Sequence, residues 1–80
     1  MNVVQFVYAS SALDAHDFAN RRGWRTTGRA GWMTPDGEAV LFLCLLEQLE
    51  AVTPGTIVYD AGMCAEAINV LRARKAAIRR

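Results

Sequence analysis

The alternation of short apolar runs with helical segments constrains the fold of this chain more than any other feature. Residues 3–8 are nearly continuous in apolar character, which is typical of a central strand buried on both faces. A helical pattern follows over residues 12–22, and Gly23 is suited to end it because glycine accepts the left-handed conformation found after a helix. A strand followed at once by a helix indicates a parallel βα unit.

A strong turn signal divides the next segment. Pro35 presets the backbone for the first central position of a turn, Asp36 suits the second, and Gly37 supplies a left-handed position. Apolar runs at about residues 30–34 and 38–43 flank this turn, so we predict a β-hairpin there. Residues 24–31 are loop-like, with glycines and threonines but little apolar character.

The second half repeats the alternation. Residues 45–52 have apolar positions at helical spacing, and Thr53, Pro54 and Gly55 break that helix. The β-branched and aromatic run at residues 56–60 predicts a strand, and residues 63–78 predict a final helix.

The predicted element order is β-α-β-β-α-β-α. Strands that alternate with helices imply a mostly parallel sheet with helices outside it. We therefore expect a single three-layer α/β domain over residues 1–80, with one antiparallel hairpin. Eighty residues leave no room for a second domain.

Hydrophobic residues make up 52 % of the chain, which excludes a disordered segment and is high for so small a body. The longest apolar run, residues 39–46, is far shorter than the ~20 residues that span a bilayer. The N-terminus carries no signal-peptide pattern. We therefore expect a cytoplasmic protein without a membrane partner, whose apolar surplus favours self-association.

The basic residues are segregated, although the net charge is only +1. Four arginines lie near the end of the first predicted helix, and a second group lies at the end of the last. Helix-dipole complementarity explains part of this pattern. A contact surface for nucleic acid or for an acidic protein is the alternative, although a committed nucleic-acid binder is usually more basic. The candidate contact residues are Arg21, Arg22, Arg25, Arg29, Arg72, Arg74, Lys75 and Arg79.

Polar residues also follow two of the predicted parallel strands. Ser10, Ser11 and Asp60 come where open α/β sheets bind ligands, so they are candidates for a small anionic ligand or a nucleotide. No G-x-G-x-x-G follows the first strand, and the two cysteines and one histidine lack metal-ligand spacing. We predict no catalytic residues, no metal and no cofactor. Trp24 and Trp32, each beside a glycine, are candidate interface anchors.

Four segments together resemble a group of known proteins. They are the opening strand with the Ala-His-Asp-Phe-Ala-Asn-Arg-Arg-Gly-Trp run at 15–24, Glu-Gln-Leu at 47–49, Pro-Gly-Thr-Ile-Val-Tyr at 54–59 and Leu-Arg-Ala-Arg at 71–74. This pattern is similar to that of small Rossmann-like proteins encoded by bacteriophages. The resemblance implies a Rossmann-like fold and a phage accessory or host-modulating role, and it carries no catalytic residues over.

The sequence therefore predicts a non-enzymatic protein that works through protein–protein interaction, with itself or with another protein. Nucleic-acid binding through the arginines and small-ligand binding at Ser10, Ser11 and Asp60 stay open as alternatives.

Overall fold

A computed structural model describes residues 4–28 and 31–80 of the chain. Within these residues, three helices and one six-stranded sheet form an α/β fold. The elements are β1 (Gln5–Tyr8), α1 (Ala12–Arg21), β2 (Arg25–Gly28), β3 (Gly31–Met33), β4 (Ala39–Leu43), α2 (Leu46–Leu49), β5 (Ile57–Asp60), α3 (Ala65–Ala73) and β6 (Ala77–Arg79).

The strand order in the sheet is β2-β3-β4-β1-β5-β6. β1 pairs in parallel with β4 and β5, and β5 pairs in parallel with β6. β3 is antiparallel to both β2 and β4. The sheet is therefore mixed, with two antiparallel pairings where we predicted one. β1 does occupy a central position, as its continuous apolar character predicted.

The helices pack on opposite sides of the sheet. On one side, Ala15 and Ala19 of α1 are fully buried against a cluster that contains Val7 of β1 and Val40 of β4. The small alanine side chains let α1 lie close to the strands. On the other side, α2 and α3 pack against a second cluster, which contains Val58 of β5.

The predicted hairpin turn is present. The Gly37 backbone N–H donates to the Thr34 carbonyl at 2.9 Å, and Gly37 has a φ of 86°. The Thr34 N–H donates to the Glu38 carbonyl at 2.9 Å, and β3 pairs with β4 on either side of the turn. Here local turn chemistry was sufficient to predict the structure.

The predicted loop at residues 24–31 contains a strand, and that prediction is wrong at β2. All four residues of β2 are exposed, and the strand lies at the edge of the sheet. A strand that buries no side chain leaves no apolar periodicity in the sequence. Its Thr26 and Thr27 are the only local signal, through the preference of threonine for strands.

The predicted final helix, residues 63–78, is also wrong in its second half. α3 ends at Ala73, and β6 pairs with β5. The Ala76 N–H donates to the Leu71 carbonyl, and the Lys75 N–H donates to the Arg72 carbonyl, both at 3.0 Å. These two hydrogen bonds are the Schellman arrangement that closes a helix. Ile78, seven residues after Leu71, matched the helical stripe but lies in a strand.

Lys75 occupies the left-handed position of this helix end, with a φ of 59°. Glycine normally takes that position because a side chain there costs about 1–2 kcal/mol. We therefore expect Lys75→Gly to raise the free energy of unfolding by about 0.5–1 kcal/mol, since glycine's larger entropy loss offsets part of the relief. Differential scanning calorimetry measures this as a rise of several degrees in Tm.

Lys75→Ala is the matched control for that substitution. It removes the same charge and stem but keeps a Cβ in the left-handed conformation. A Lys75→Gly variant that is no more stable than Lys75→Ala would show that the helix end carries no backbone strain.

Candidate docking surface

The side chains predicted for a ligand site at the carboxyl edge of the strands are engaged locally. Ser11 caps α1, and its Oγ accepts from the Asp14 N–H at 3.3 Å. The Ser10 hydroxyl donates to the Asp14 carboxylate at 3.3 Å. The Asp60 carboxylate accepts from the N–H groups of Gly62 at 3.0 Å and Met63 at 2.7 Å. These hydrogen bonds belong to a helix cap and a turn. Local structure therefore accounts for the polar residues at these three positions, and no ligand is needed to explain them.

Tyr8 ends β1 at the same edge and makes the stability of the protein depend on pH. Burial raises the pKa of Tyr8 above its ordinary value of about 10, and charges at Cys64, Cys44 and Glu66 add to the effect. The unfolded chain therefore ionises first, so the stability that is present below pH ~10 is lost as the pH rises through the raised pKa. We expect Tyr8→Phe to flatten this alkaline loss, measured by urea unfolding at increasing pH. An unchanged slope would contradict this role.

The two basic groups lie on opposite sides of the sheet. Arg21 and Arg22 end α1, whereas Arg72 and Arg74 end α3. The Lys75 carbonyl accepts from the Gly55 N–H at 2.9 Å, which places the end of α3 beside the start of β5. Both helix ends therefore lie at the amino edge of the parallel strands, with the sheet between them. Of the other candidates, Arg25 opens β2, Arg79 lies in β6, and Arg29 is outside the described residues.

Two features make this edge poorly suited to binding a polyanion. Asp36 and Glu38 lie in the turn before β4, so carboxylates share the edge with the bases. Some arginines also have structural contacts. The Arg22 guanidinium lies 4.2 Å from the centre of the Phe18 ring, and Arg74 Nε donates to the Val52 carbonyl at 3.3 Å.

Both tryptophans are part of the core rather than of an exposed interface. Trp32 is buried under α1, with its ring centre 5.3 Å from that of His16 in an edge-to-face arrangement. Trp24 is buried against Phe18 and Tyr59, with ring centres 5.5 and 4.9 Å away. The glycine beside each tryptophan lies where a helix ends or a strand begins, and it does not indicate that the tryptophan is a surface anchor.

The exposed large apolar side chains of the sheet strands lie on the side that carries α2 and α3, whereas Leu13, which is also exposed, lies on α1. Side chains alternate along a strand, so Leu41 and Met33 point away from the cluster that buries Val40 and Trp32. Leu41 is 45 % exposed, and Met33 is 39 % exposed. Val4, also 39 % exposed, precedes β1 two residues before half-buried Phe6. We call the surface formed by Val4, Met33 and Leu41 the open face.

The register of the central strands explains why the open face is exposed. Phe6 lies opposite Val58 on β5 and opposite Leu41 on β4, so the three side chains form one row across the sheet. Val58 is fully buried, Phe6 is half-buried and Leu41 is exposed. Burial therefore decreases steadily with distance from the second cluster, in which α3 packs. α2 spans only Leu46–Leu49, so it covers Leu43 at the end of β4 but does not extend this cover to Leu41 or to β3.

Gly31 adds to the exposure of Leu41. It is the register partner of Leu41 on β3, and it brings no side chain to cover its neighbour. A Cβ at Gly31 would approach Thr27 Oγ1 to 3.0 Å and Leu41 Cδ2 to 3.5 Å. Thr27 therefore also lies on the open face, which continues as far as the β2 edge.

A groove of about 340 Å³ continues the open face toward α2. Val4, Phe6 and Leu43 form its sheet side. Gln48 and Val52 form part of its opposite wall, and the Gln48 Oε1 accepts from the Leu45 N–H at 3.0 Å. The groove therefore has an apolar floor and one wall that is held in place by a hydrogen bond.

Charged residues border the open face on two sides. Arg25 of β2 is the register partner of Met33, so it lies at the outer border of the face. Glu47 and Glu50 are exposed on and just after α2, at the other border. Opposite charges on opposite borders, with apolar residues between them, are the arrangement of a protein-contact surface with a polar rim.

Sequence reasoning did not predict that these residues are exposed. Every residue of β4 is apolar, which predicted burial on both faces rather than exposure of one. The run carries no signal for exposure, because it looks the same whether or not a helix covers that face of the sheet.

Within residues 4–28 and 31–80, no three His, Cys, Asp or Glu side chains group as a metal site would require. In the same part of the chain, no helix has both the length and the apolar character needed to cross a membrane. Cys44 and Cys64 are both exposed free thiols. Comparison of the chain with family models, curated proteins and solved structures finds no match.

Proposed function

We propose that this protein acts through self-association, and that a second copy of the chain packs on the open face. The observation that carries the proposal is the decrease in burial along the row from Val58 through Phe6 to Leu41. The sheet has apolar side chains on both faces, but the second face is covered over only part of its width. Contiguous exposed apolar surface of this kind marks an interaction site in small proteins.

Charge complementarity favours a second copy as the occupant. A two-fold axis in the interface and parallel to the strands brings each border of the open face onto the opposite border of the partner. The border of one copy that carries Arg25 then lies against the border of the other copy that is formed by α2, twice per dimer. A two-fold interface must be self-complementary, and this border arrangement satisfies that condition. An acidic or a basic partner would match only one of the two borders.

The size of the open face indicates a weak dimer. The strands β2, β3, β4 and β1 are ~4.8 Å apart, so the face is only about 15–20 Å across. This places it near the small end of specific interfaces, where complexes are transient. We expect dissociation constants in the micromolar range rather than a permanent dimer.

Sedimentation equilibrium tests the proposal directly. The weight-average mass is expected to rise from 8.8 kDa toward twice that value as the concentration increases from low micromolar to near millimolar. Because the apolar contact dominates, raised salt is expected to weaken the dimer only slightly. A mass that stays at the monomer value over the whole range would contradict self-association.

Other predictions from the sequence stay predictions. The Rossmann-like arrangement is supported by the parallel run β4-β1-β5-β6, and the phage accessory role and cytoplasmic location rest on the sequence alone. Nucleic-acid binding is less favoured than self-association because Asp36 and Glu38 lie at the edge where the arginines lie. A ligand at Ser10, Ser11 and Asp60 is less favoured because those side chains are engaged locally.

A further inference from the structure

The strand β6 ends the sheet on the side away from β2, and its outer edge is open. Among residues 4–28 and 31–80, no strand pairs with that edge. β5 lies between β6 and β1, so the edge is separate from the open face. An exposed strand edge presents unpaired backbone N–H and C=O groups, to which another extended chain can add as a further strand.

The register of β6 shows which of its backbone groups point outward. Ala77 lies opposite Ile57, and the Ala77 N–H donates to the Thr56 carbonyl at 2.8 Å. Successive residues of a strand direct these groups to opposite sides, so Ala77 and Arg79 bond to β5 and Ile78 does not. Ile78 therefore offers one N–H donor and one C=O acceptor to an added strand.

A cavity of about 350 Å³ lies beside Ile78, between β6 and α3. Ile68 and Arg72 form its helix side, and they lie four residues apart on one flank of α3. Its other lining residues are Ala76, Ile78 and Arg80 at β6, and Asp60 at the end of β5. A strand added to β6 would direct every second side chain toward this cavity. Strand-addition sites obtain their specificity from such pockets for alternate side chains.

Basic side chains lie on both faces of this edge. Arg72 and Arg80 line the cavity on the α3 side. Arg79 lies on the other face of the sheet, where it lines a cavity together with Tyr59. The Asp60 carboxylate is already an acceptor for two backbone N–H groups through its Oδ1. Arginine binds carboxylates through parallel hydrogen bonds, so the edge is complementary to acidic side chains on either face of an added strand.

The same charges disfavour a second copy of this chain at the edge. The other edge strand, β2, carries Arg25, and β6 carries Arg79. Pairing β6 with either edge strand of another copy would therefore bring basic side chains toward basic side chains. Charged residues on edge strands are a common protection against such self-pairing. An acidic segment of a different protein meets no such repulsion.

We propose that the outer edge of β6 binds an extended acidic segment of another protein, which adds to the sheet as a further strand. One apolar side chain of the segment lies beside Ile78 and Ile68. The residue next to it lies on the other face beside Arg79, and the second residue along lies beside Arg80 and Arg72. Both of these residues are aspartate or glutamate, so the bound segment has an apolar residue followed by acidic ones.

The test is a titration of the intact chain, labelled with nitrogen-15, with the acetylated and amidated peptide Thr-Glu-Glu-Val-Glu-Glu-Thr. This sequence reads the same in both directions, so it can pair with β6 in parallel or antiparallel orientation. The readout is hydrogen exchange of the Ile78 N–H, which gains its partner only in the complex. Exchange is expected to slow about 10-fold when about 90 % of the chain is bound. Unchanged exchange at millimolar peptide would overturn the proposal.

Two matched peptides separate backbone pairing from charge. A peptide N-methylated on its three central residues keeps every charge but lacks the N–H donors, so it is expected to bind about 10-fold more weakly or worse. Thr-Lys-Lys-Val-Lys-Lys-Thr keeps the donors but inverts the charge, and no saturable binding is expected. If the N-methylated peptide binds as tightly as the parent, strand addition is wrong. If the lysine peptide does, the acidic assignment is wrong.

Substitutions in the protein locate the contact. Arg80→Gln is expected to weaken binding of the acidic peptide about 2–5-fold, as for an exposed ion pair. Arg21→Gln is the control, since it makes the same change on α1, away from β6. Both arginines are exposed, so neither change is expected to affect folding. Equal losses in the two variants would show that charge attracts the peptide without a defined site, which contradicts the proposal.

A concentration series without peptide tests the other occupant. Self-association through the open face leaves the edge of β6 free, so exchange of the Ile78 N–H is expected to stay constant as the protein concentration rises. Slower exchange at high concentration would place a second copy on this edge and overturn the assignment to an acidic segment.

Discussion

Leu41→Glu is expected to abolish self-association while leaving the fold intact. Leu41 lies at the centre of the open face, between Gly31 on one side and Phe6 on the other. Because it is 45 % exposed in the monomer, a glutamate there stays in solvent and does not disturb the core. In the dimer, the same glutamate would be buried without a partner.

The expected effect on affinity is large because a two-fold interface contains each residue twice. Burial of the exposed part of one leucine contributes about 1 kcal/mol, and an unpaired buried carboxylate costs several times more. The dissociation constant should therefore rise about 100-fold or more. Sedimentation equilibrium is expected to give 8.8 kDa for the variant at concentrations where the unmodified protein dimerises.

Leu13→Glu is the matched control for this experiment. Leu13 is 77 % exposed, more than Leu41, but it lies on α1, on the other side of the sheet. The same chemical change there is expected to leave the dimer intact. Circular dichroism should show unchanged secondary structure in both variants. If Leu13→Glu breaks the dimer and Leu41→Glu does not, the contact surface is on the α1 side and our assignment is wrong.

Leu71→Ala is expected to destabilise the protein more than any surface change. Leu71 is fully buried in the cluster beneath α3, and its carbonyl accepts the hydrogen bond that closes the helix. Removing such a side chain from a packed core costs about 2–5 kcal/mol, because the lost burial and the remaining cavity both contribute. An 80-residue domain has only about 4–12 kcal/mol of stability in total.

Urea unfolding measures this effect as a large fall in the transition midpoint. Leu13→Ala again provides the control, since it makes the same change at an exposed helix position where leucine and alanine differ little. A loss below about 1 kcal/mol in Leu71→Ala would mean that α3 is not packed on the sheet as described.

The two helix ends show where sequence reasoning succeeds and where it fails. Both α1 and α3 close with the same pair of hydrogen bonds. At α1 the left-handed position is Gly23, with a φ of 73°, and its identity predicted the helix end. At α3 the same position is Lys75, which carries no such signal, so the predicted helix ran on into β6.

The candidate sites show the same difference between what local sequence signals predict and what they miss. Ser10, Ser11 and Asp60 were chosen because polar residues after parallel strands often bind ligands, yet their own backbone supplies their partners. A cavity beside Gln5 is built from the ends of β1 and β5, the turn before β4, and β6. No local pattern links residues so far apart in the chain, so only their packing shows that they line one cavity.

The sequence by itself determined the elements whose signals are local. These are the central strand β1, the turn at 35–37, the end of α1 at Gly23 and the α/β alternation, because each depends on the conformational preference or periodicity of a few adjacent residues. The tertiary structure alone decided which strands form the sheet edges, which half of one face is left uncovered, and where Gln5 is buried. Those outcomes depend on contacts between distant segments, and a short α2 leaves Leu41 exposed although nothing in the sequence near Leu41 indicates it.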